Sequence, residues 1–237
     1  MINVVYRISK VGYNKVKASY INNENCYKNA IKCFNPSVNK WRIIADSVDE
    51  PIKELLETYV PKECIEYVDI KNGPGYPFMY MLDKVLQELP DNEIVYFLEN
   101  DYIHREGSDL AIKEAIELGA DYVTLYDHPD KYLNPEEGGN PYIEGRSEVT
   151  RVYLTNSCHW KLTNSTTGTF AATIKTLKRD YDTIKKYANN MHWSDFNMFT
   201  DLLSQGASLV SPIPSYSTHG DLPTIAPIIN WNILIKN

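Results

Sequence analysis

Ile94-Val95-Tyr96-Phe97-Leu98-Glu99-Asn100-Asp101-Tyr102 is the stretch that decides how this chain folds. A run of apolar and β-branched residues gives way abruptly to two carboxylates one residue apart. A strand buried on both faces cannot hold charges in its middle, so Glu99 and Asp101 are expected at its exposed C-terminal end. In an open α/β sheet that end is where ligands bind. Acids two positions apart on an extended segment point to the same side and can share one cation. Hard oxygen donors favour Mg2+ or Mn2+, ions that commonly bridge to substrate phosphates. The expectation is a metal–nucleotide site; the competing reading is a strand-end turn in which Asp101 caps the next helix.

Outward from this strand, the first half of the chain alternates. Strand patterns cover 2–8, 41–46, 64–70 and 121–126. Helical spacing covers 24–35, a short segment opened by Glu50-Pro51, 76–89 (closed by Pro90), and 108–118, capped by Ser108 and stopped by Gly119. The β-α-β-α order predicts a Rossmann-like α/β fold: a mostly parallel central sheet flanked by helices. The second half changes character. Residues 132–147 are turn-rich and aperiodic, which predicts a long loop, either a lid or a disordered connection. A strand pair is expected over 148–162, a new element from Gly168 to Ala172, a polar helix over 174–189, a helix over 194–205 ended by Gly206, and a strand over 207–211. A proline-rich tail closes on an apolar segment expected to pack back on the body. The organisation expected is a single domain over 1–237, with a first half over 1–127 and a second half over 128–237 that carries a smaller β element.

With 237 residues, 43% hydrophobic and 23% charged, the chain has the composition of a folded protein. A net charge of −7 argues against a nucleic-acid surface, while one nucleotide bound through a cation remains compatible with it. Cys26, Cys33, Cys64 and Cys158 form no C-x-x-C pair, so zinc and a disulfide framework are not indicated and reduced, mostly buried thiols are expected. The N-terminus reads as a first strand and no window is apolar enough to span a membrane, so the expected location is cytoplasmic. A homo-oligomer is compatible with the sequence.

Several short patterns carry chemistry, each with a plainer alternative. Gly73-Pro74-Gly75 before a helix allows backbone to approach an anion, or is only a tight turn. Asp46 at the end of the second strand can accept from a base edge or cap the next segment. His192-Trp193-Ser194-Asp195 opens a late helix; Ser194 and Asp195 suit capping, and Asp195 also suits a general base in a pocket walled by Trp193 and His192. His219, followed by Gly220, is either a structural histidine or a ligand for a Mn2+-like ion, the glycine permitting close backbone approach. The 18 tyrosines and the tryptophans offer flat faces for sugars, though many must pack in the core.

In their order along the chain these pieces resemble a nucleotide-sugar glycosyltransferase of the A-type fold, most closely the inverting family 2. Glu99-Asn100-Asp101 resembles its acid-x-acid motif, with Glu in place of the first Asp. Asp195 matches its base, although Ser194 departs from the family's Glu-Asp pair, and His219 matches its C-terminal metal-binding histidine. Gly168-Thr169-Phe170 resembles the small-residue turn below the donor sugar. The resemblance spans roughly residues 2–220. It implies donor contacts from Arg7, Ser9, Asp46, Gly75, Glu99, Asn100 and Asp101, a divalent metal (Mn2+ or Mg2+) on Asp101 and His219, Asp195 as catalytic base, and acceptor contacts from Trp160, His192, Trp193 and Tyr216. The implied partners are a UDP-, GDP- or dTDP-sugar and a glycan acceptor. Two other functions compete. A sugar-1-phosphate nucleotidyltransferase shares the sheet and the carboxylates but would want a glycine-rich basic loop near Ser9-Lys10-Val11-Gly12-Tyr13. A non-catalytic carbohydrate-binding protein would suit the aromatic content but is usually all-β.

Overall fold

The computed structural model describes residues 1–10, 15–70, 73, 75–188 and 193–236. In the first half, β1 (Ile2–Ser9), β2 (Lys40–Asp46), β3 (Ile65–Val68) and β4 (Ile94–Glu99) alternate with α1 (Asn23–Cys33), α2 (Glu50–Glu57) and α3 (Gly75–Glu88). Next come β5 (Tyr102–His104), α4 (Ser108–Glu117) and β6 (Tyr122–Val123). The second half holds β7 (Val152–Leu154), β8 (His159–Leu162), β9 (Phe170–Thr173), α5 (Ile174–Arg179), α6 (Tyr181–Ala188), α7 (Asp195–Ser204), β10 (Leu209–Ile213), β11 (Ser217–His219) and α8 (Trp231–Lys236).

Among the described residues nine strands form one sheet in the order β3-β2-β1-β4-β9-β6-β10-β8-β7. All but β8 and β9 run in one direction, so the sheet is mostly parallel, as its β-α alternation demands. β5 and β11 pair separately as a two-stranded antiparallel sheet. The strand period of two divides the core. Ile2, Val4, Tyr6 and Ile8 of β1 face one layer with residues of α1, α4 and α8, whereas Val5 faces the other with α3, α5, α6 and α7. Because both faces are covered, β1 and β4 read as near-continuous apolar runs, and charge is admitted only where they end. Parallel pairing puts those ends side by side: Ser9 lies opposite Asp46, and Arg7 opposite Glu99.

Local differences from expectation have local causes. Gly107, at φ +83°, takes the cap position of α4, and Ser108 sits inside the helix with its hydroxyl donating to the Arg105 carbonyl (2.7 Å). The polar helix expected over 174–189 is two helices broken at Asp180, whose carboxylate accepts from the buried Tyr122 hydroxyl (2.7 Å). β6 pairs only at Tyr122 and Val123 because the next residues turn to β11: the Leu125 carbonyl accepts from the backbone N–H of both Tyr216 (2.9 Å) and Ser217 (2.8 Å).

The aperiodic segment is neither a free lid nor disordered. It folds into 3-10 turns at Pro129–Tyr132 and Pro135–Glu137, the second closed by a capping box between Asn134 and Glu137. It is also pinned from beneath. The fully buried Lys131 donates to Asn164 and to Ser165 Oγ (3.0 Å), and Lys161 bridges Asp127 (2.8 Å) and Glu148 (2.9 Å). Burial pulls on the Lys161 ammonium, but the two carboxylates outweigh it and raise its pKa. The apolar tail packs back as expected, with Trp231 buried and its indole N–H donating to the Ala226 carbonyl (2.9 Å). All four cysteines are free thiols, three of them buried. Among the described residues no helix is long and apolar enough to cross a membrane.

Candidate functional site

A cleft of about 170 Å3 opens at the C-terminal ends of the parallel strands, lined by Arg7, Lys15, Glu99, Asp101, Thr167, Gly168, Trp193, Asp195 and His219. It therefore unites the acids after β4, the turn before β9, the start of α7 and the end of β11. A larger groove, about 640 Å3, lies at the opposite, N-terminal ends of β2 and β3. Two of the cations that line it are held by carboxylates, Arg42 by Glu88 and Lys84 by Glu66.

Glu99 ends β4 beside Arg7, and the two side chains form a bidentate ion pair, with Arg7 Nε 2.8 Å from Glu99 Oε1 and a second bond from Nη2 to Oε2. The Glu99 carboxylate is thus already committed to Arg7. Its backbone N–H reaches Thr169 Oγ1 (3.3 Å), which joins the strand end to the turn at Gly168. Asp101 does not cap α4. Its Oδ2 lies 2.9 Å from Lys17 Nζ and 3.3 Å from His219 Nε2. Burial would raise the Asp101 carboxyl, but the hydrogen bond and charge of His219, joined by Lys17, hold it well below the usual carboxylate range.

His219 arrives there by strand register. β5 begins immediately after Asp101, and in the antiparallel pair His219 stands opposite Tyr102. A one-residue slip would bring Thr218 instead. The other ring nitrogen, Nδ1, faces Thr224 Oγ1 (3.1 Å) and Asp221 Oδ2 (3.6 Å). Gly220 is required between them. A Cβ there would come within 2.9 Å of the Asp101 carbonyl oxygen and 2.5 Å of Ile21 Cγ2. The glycine lets backbone meet backbone, and so holds His219 beside Asp101.

Asp101, His219 and Asp221 offer ligand atoms within 4.8 Å of one another. Asp221 Oδ1 is buried and accepts no hydrogen bond among the described residues. An imidazole fixed by a carboxylate on one nitrogen, with the other facing an acid, is how proteins orient a metal-bound histidine. Mixed oxygen and imidazole donors suit Mn2+. The residues present therefore fit a divalent cation.

Asp195 resolves the ambiguity at the start of α7. Ser194 is the cap, its side chain accepting from Asn197 N (3.4 Å). Asp195 is released from that duty and reaches across to another loop, where its Oδ2 accepts from the backbone N–H of Thr166 (2.9 Å) and Thr167 (2.7 Å). Trp193 lies beside it, stacked on Phe78 at 4.4 Å between ring centroids.

The remaining expected residues divide. Ser9 and Asp46 lie together at the ends of β1 and β2, outside the cleft lining, and Asp46 Oδ1 accepts from Ile70 N (2.8 Å) and Ser47 Oγ (3.0 Å). Gly75 opens α3, and Asn100 donates to Asn23 Oδ1 (2.5 Å). Trp160 is corrected: it is fully buried, its indole N–H donating to Thr155 Oγ1 (3.1 Å), and has no face to offer a sugar. Tyr216 is corrected likewise, being buried under the Arg105 guanidinium, 4.6 Å from its ring centroid. His192 lies outside the described residues. Sequence reasoning missed Asp221, legible only as an acid two residues after His219, and the basic pair Lys15 and Lys17 after β1.

No family model matches the chain, and no curated protein matches it in sequence. Its shape does match solved structures. GalNAc-T7 with UDP, GalNAc and Mn2+ is similar over 92% of this chain at 14% identity, with a TM-score of 0.58; this chain spans 42% of that one. The 4-diphosphocytidyl-2C-methyl-D-erythritol synthase of Anaerococcus prevotii is matched over 99% of this chain and 94% of its own, at 14% identity and a TM-score of 0.47. CMP:2-keto-3-deoxy-manno-octonic acid synthetase complexed with CTP is matched over 89% of each chain, at 11% identity and a TM-score of 0.49. The fold is the Rossmann-like GT-A fold.

Proposed function

We propose that the chain is a metal-dependent glycosyltransferase that moves a sugar from a nucleotide-sugar to an acceptor hydroxyl with inversion. The observation that carries this reading is that Asp101, His219 and Asp195, remote in sequence, line one cleft at the ligand-binding end of the sheet. At about 170 Å3 the cleft is smaller than the roughly 300–1,000 Å3 of typical ligand pockets, so it receives the pyrophosphate and the reacting sugar. The nucleoside then lies along Ser9, Asp46 and Gly75, within residues 1–127. The acceptor enters from the side of residues 128–237, over Trp193, within one domain.

Asp101 and His219 would hold the cation, with Asp221 orienting the imidazole. Bound there, a divalent ion supplies Lewis-acid stabilisation of the charge on the departing nucleoside diphosphate. Around the cleft Arg7, Lys15 and Lys17 are already engaged by Glu99, Asp221 and Asp101, so a diphosphate meets cations that carboxylates have neutralised, and a divalent ion would tip the balance. Asp195 takes the proton of the acceptor hydroxyl as that oxygen attacks the anomeric carbon from the face opposite the leaving group. The two backbone N–H groups on Oδ2 keep its carboxylate at a fixed angle. Thr167 and Gly168 form one wall of the cleft.

The test is transfer from UDP-, GDP- and dTDP-sugars with and without Mn2+, with the anomeric configuration of the product read by NMR. Asp101→Ala should abolish Mn2+-dependent nucleotide binding and transfer; full activity in that variant, or a retained anomeric configuration, sinks the mechanism. Incubation with nucleoside triphosphate and sugar 1-phosphate separates the nucleotidyltransferase alternative, which needs no base at Asp195.

A further inference from the structure

Residues 15–18 run as a strap along the segment that carries His219 and Asp221. Lys17 and Asp221 form an antiparallel bridge, flanked by bonds from Ala18 N to the Gly220 carbonyl (3.1 Å) and from Leu222 N to the Val16 carbonyl (3.0 Å). In such an extended segment Lys15 and Lys17, two apart, project to one side. Lys17 Nζ sits 2.9 Å from Asp101 Oδ2, and Lys15 Nζ 2.8 Å from Asp221 Oδ2. The Asp101 oxygen that Lys17 holds is the one facing His219 Nε2. An ammonium at that distance and a divalent ion on the same oxygen repel each other strongly in a partly desolvated cleft. Lysine can yield, because its charge rides on a flexible four-carbon stem. The two side chains are 57% and 29% exposed, so both have room to move.

We infer that Lys17, seconded by Lys15, is a displaceable counter-charge: it neutralises Asp101 in the ligand-free protein and passes to the diphosphate of the donor when Asp101 takes a cation. The inference rests on the proposed function and deepens it by adding a binding residue and a rule of assembly. Cation alone must evict an ammonium that then has no partner, and nucleotide alone can draw Lys17 to its phosphates only by leaving Asp101 without its counter-charge. Together each relieves the other, so the two bind cooperatively, and by linkage the coupling is the same in both directions.

The experiment measures Mn2+ binding by the EPR signal of free Mn2+, and UDP, GDP and dTDP binding by calorimetry, in the wild type and in Lys17→Met. Methionine keeps most of the apolar stem and loses the charge. In the absence of nucleotide, Lys17→Met should bind Mn2+ more tightly. In saturating Mn2+, it should bind the nucleotide less tightly. The wild-type coupling, expected between about 5- and 150-fold, should be smaller in Lys17→Met, which keeps only the part due to the cation's own attraction for the diphosphate. Lys17→Arg should restore it, and Lys17→Gln repeats the test should the methionine variant melt early. A purely structural lysine would weaken both ligands together, and that result, or unchanged Mn2+ affinity in a protein that still binds Mn2+ and nucleotide, overturns the inference alone. No Mn2+ binding by either protein overturns the proposed function with it.

Discussion

Asp195 is the first residue of a helix whose capping is done by its neighbour, and that division of labour leaves its carboxylate available for the role of base proposed above. Were Asp195 the cap, its oxygens would be spent on its own helix; instead one oxygen is held by Thr166 and Thr167. Asp195→Asn should preserve the shape and the Mn2+-dependent nucleotide affinity while lowering kcat by roughly 10²–10⁴-fold, the usual share of a general base. A parallel loss of nucleotide binding would instead mark Asp195 as a structural clasp. Gly220 makes the same point through sterics. A methyl group there meets the Asp101 carbonyl oxygen at 2.9 Å, so Gly220→Ala should cost about 1–3 kcal/mol in urea unfolding and weaken Mn2+ binding by moving His219 from Asp101. Both glycine and aspartate were visible as residue types; their particular duties depend on what faces them.

At the scale of elements, β5 and β11 form a short ribbon that carries one end of the site, and its underside is buried. His104 of β5 is fully enclosed, with Nε2 2.8 Å from the Tyr96 hydroxyl, and burial pushes its pKa down to about 3 from an ordinary 6.5. Between those values the unfolded chain binds a proton that the folded protein refuses. The stability this group contributes is therefore whole above pH 6.5 and is lost as pH falls toward 3, by up to about 1.4 kcal/mol per pH unit. Urea unfolding at pH 7, 5.5 and 4.5 should show that slope in the wild type and a shallower one in His104→Gln. The segment over 129–148 illustrates an element that periodicity cannot reveal. Its order comes from Lys131, buried within it, and Lys161 beneath it, whose ammonium groups find partners in side chains distant in sequence. Lys161→Met, which leaves Asp127 and Glu148 unpaired, should destabilise by about 3–5 kcal/mol, the ordinary cost of orphaning a buried charge.

At the scale of the whole molecule, the cleft exists only because the sheet brings its two halves together, so a ligand that spans them should stabilise all of it. A nucleoside diphosphate at 100 times its Kd with Mn2+ should add about 2.7 kcal/mol, which for a chain of this size raises Tm by roughly 5–10 °C. EDTA should erase the shift. The strands of the main sheet, most of the helices and the acids that close β4 were legible in the order of residues, because a buried strand admits apolar side chains and expels charge at its ends, a pattern written within a few neighbouring positions; the ribbon of β5 and β11 was not. Asp195 at a helix start and His219 before a glycine were legible as candidates for the same local reason. That Trp160 lies in the core while Trp193 lines the cleft, that Glu99 belongs to Arg7, and that Lys17 and His219 share one oxygen of Asp101 were decided by tertiary structure alone. Each depends on which strands pair and in what register, and those pairings join residues whose separation along the chain leaves no periodic trace.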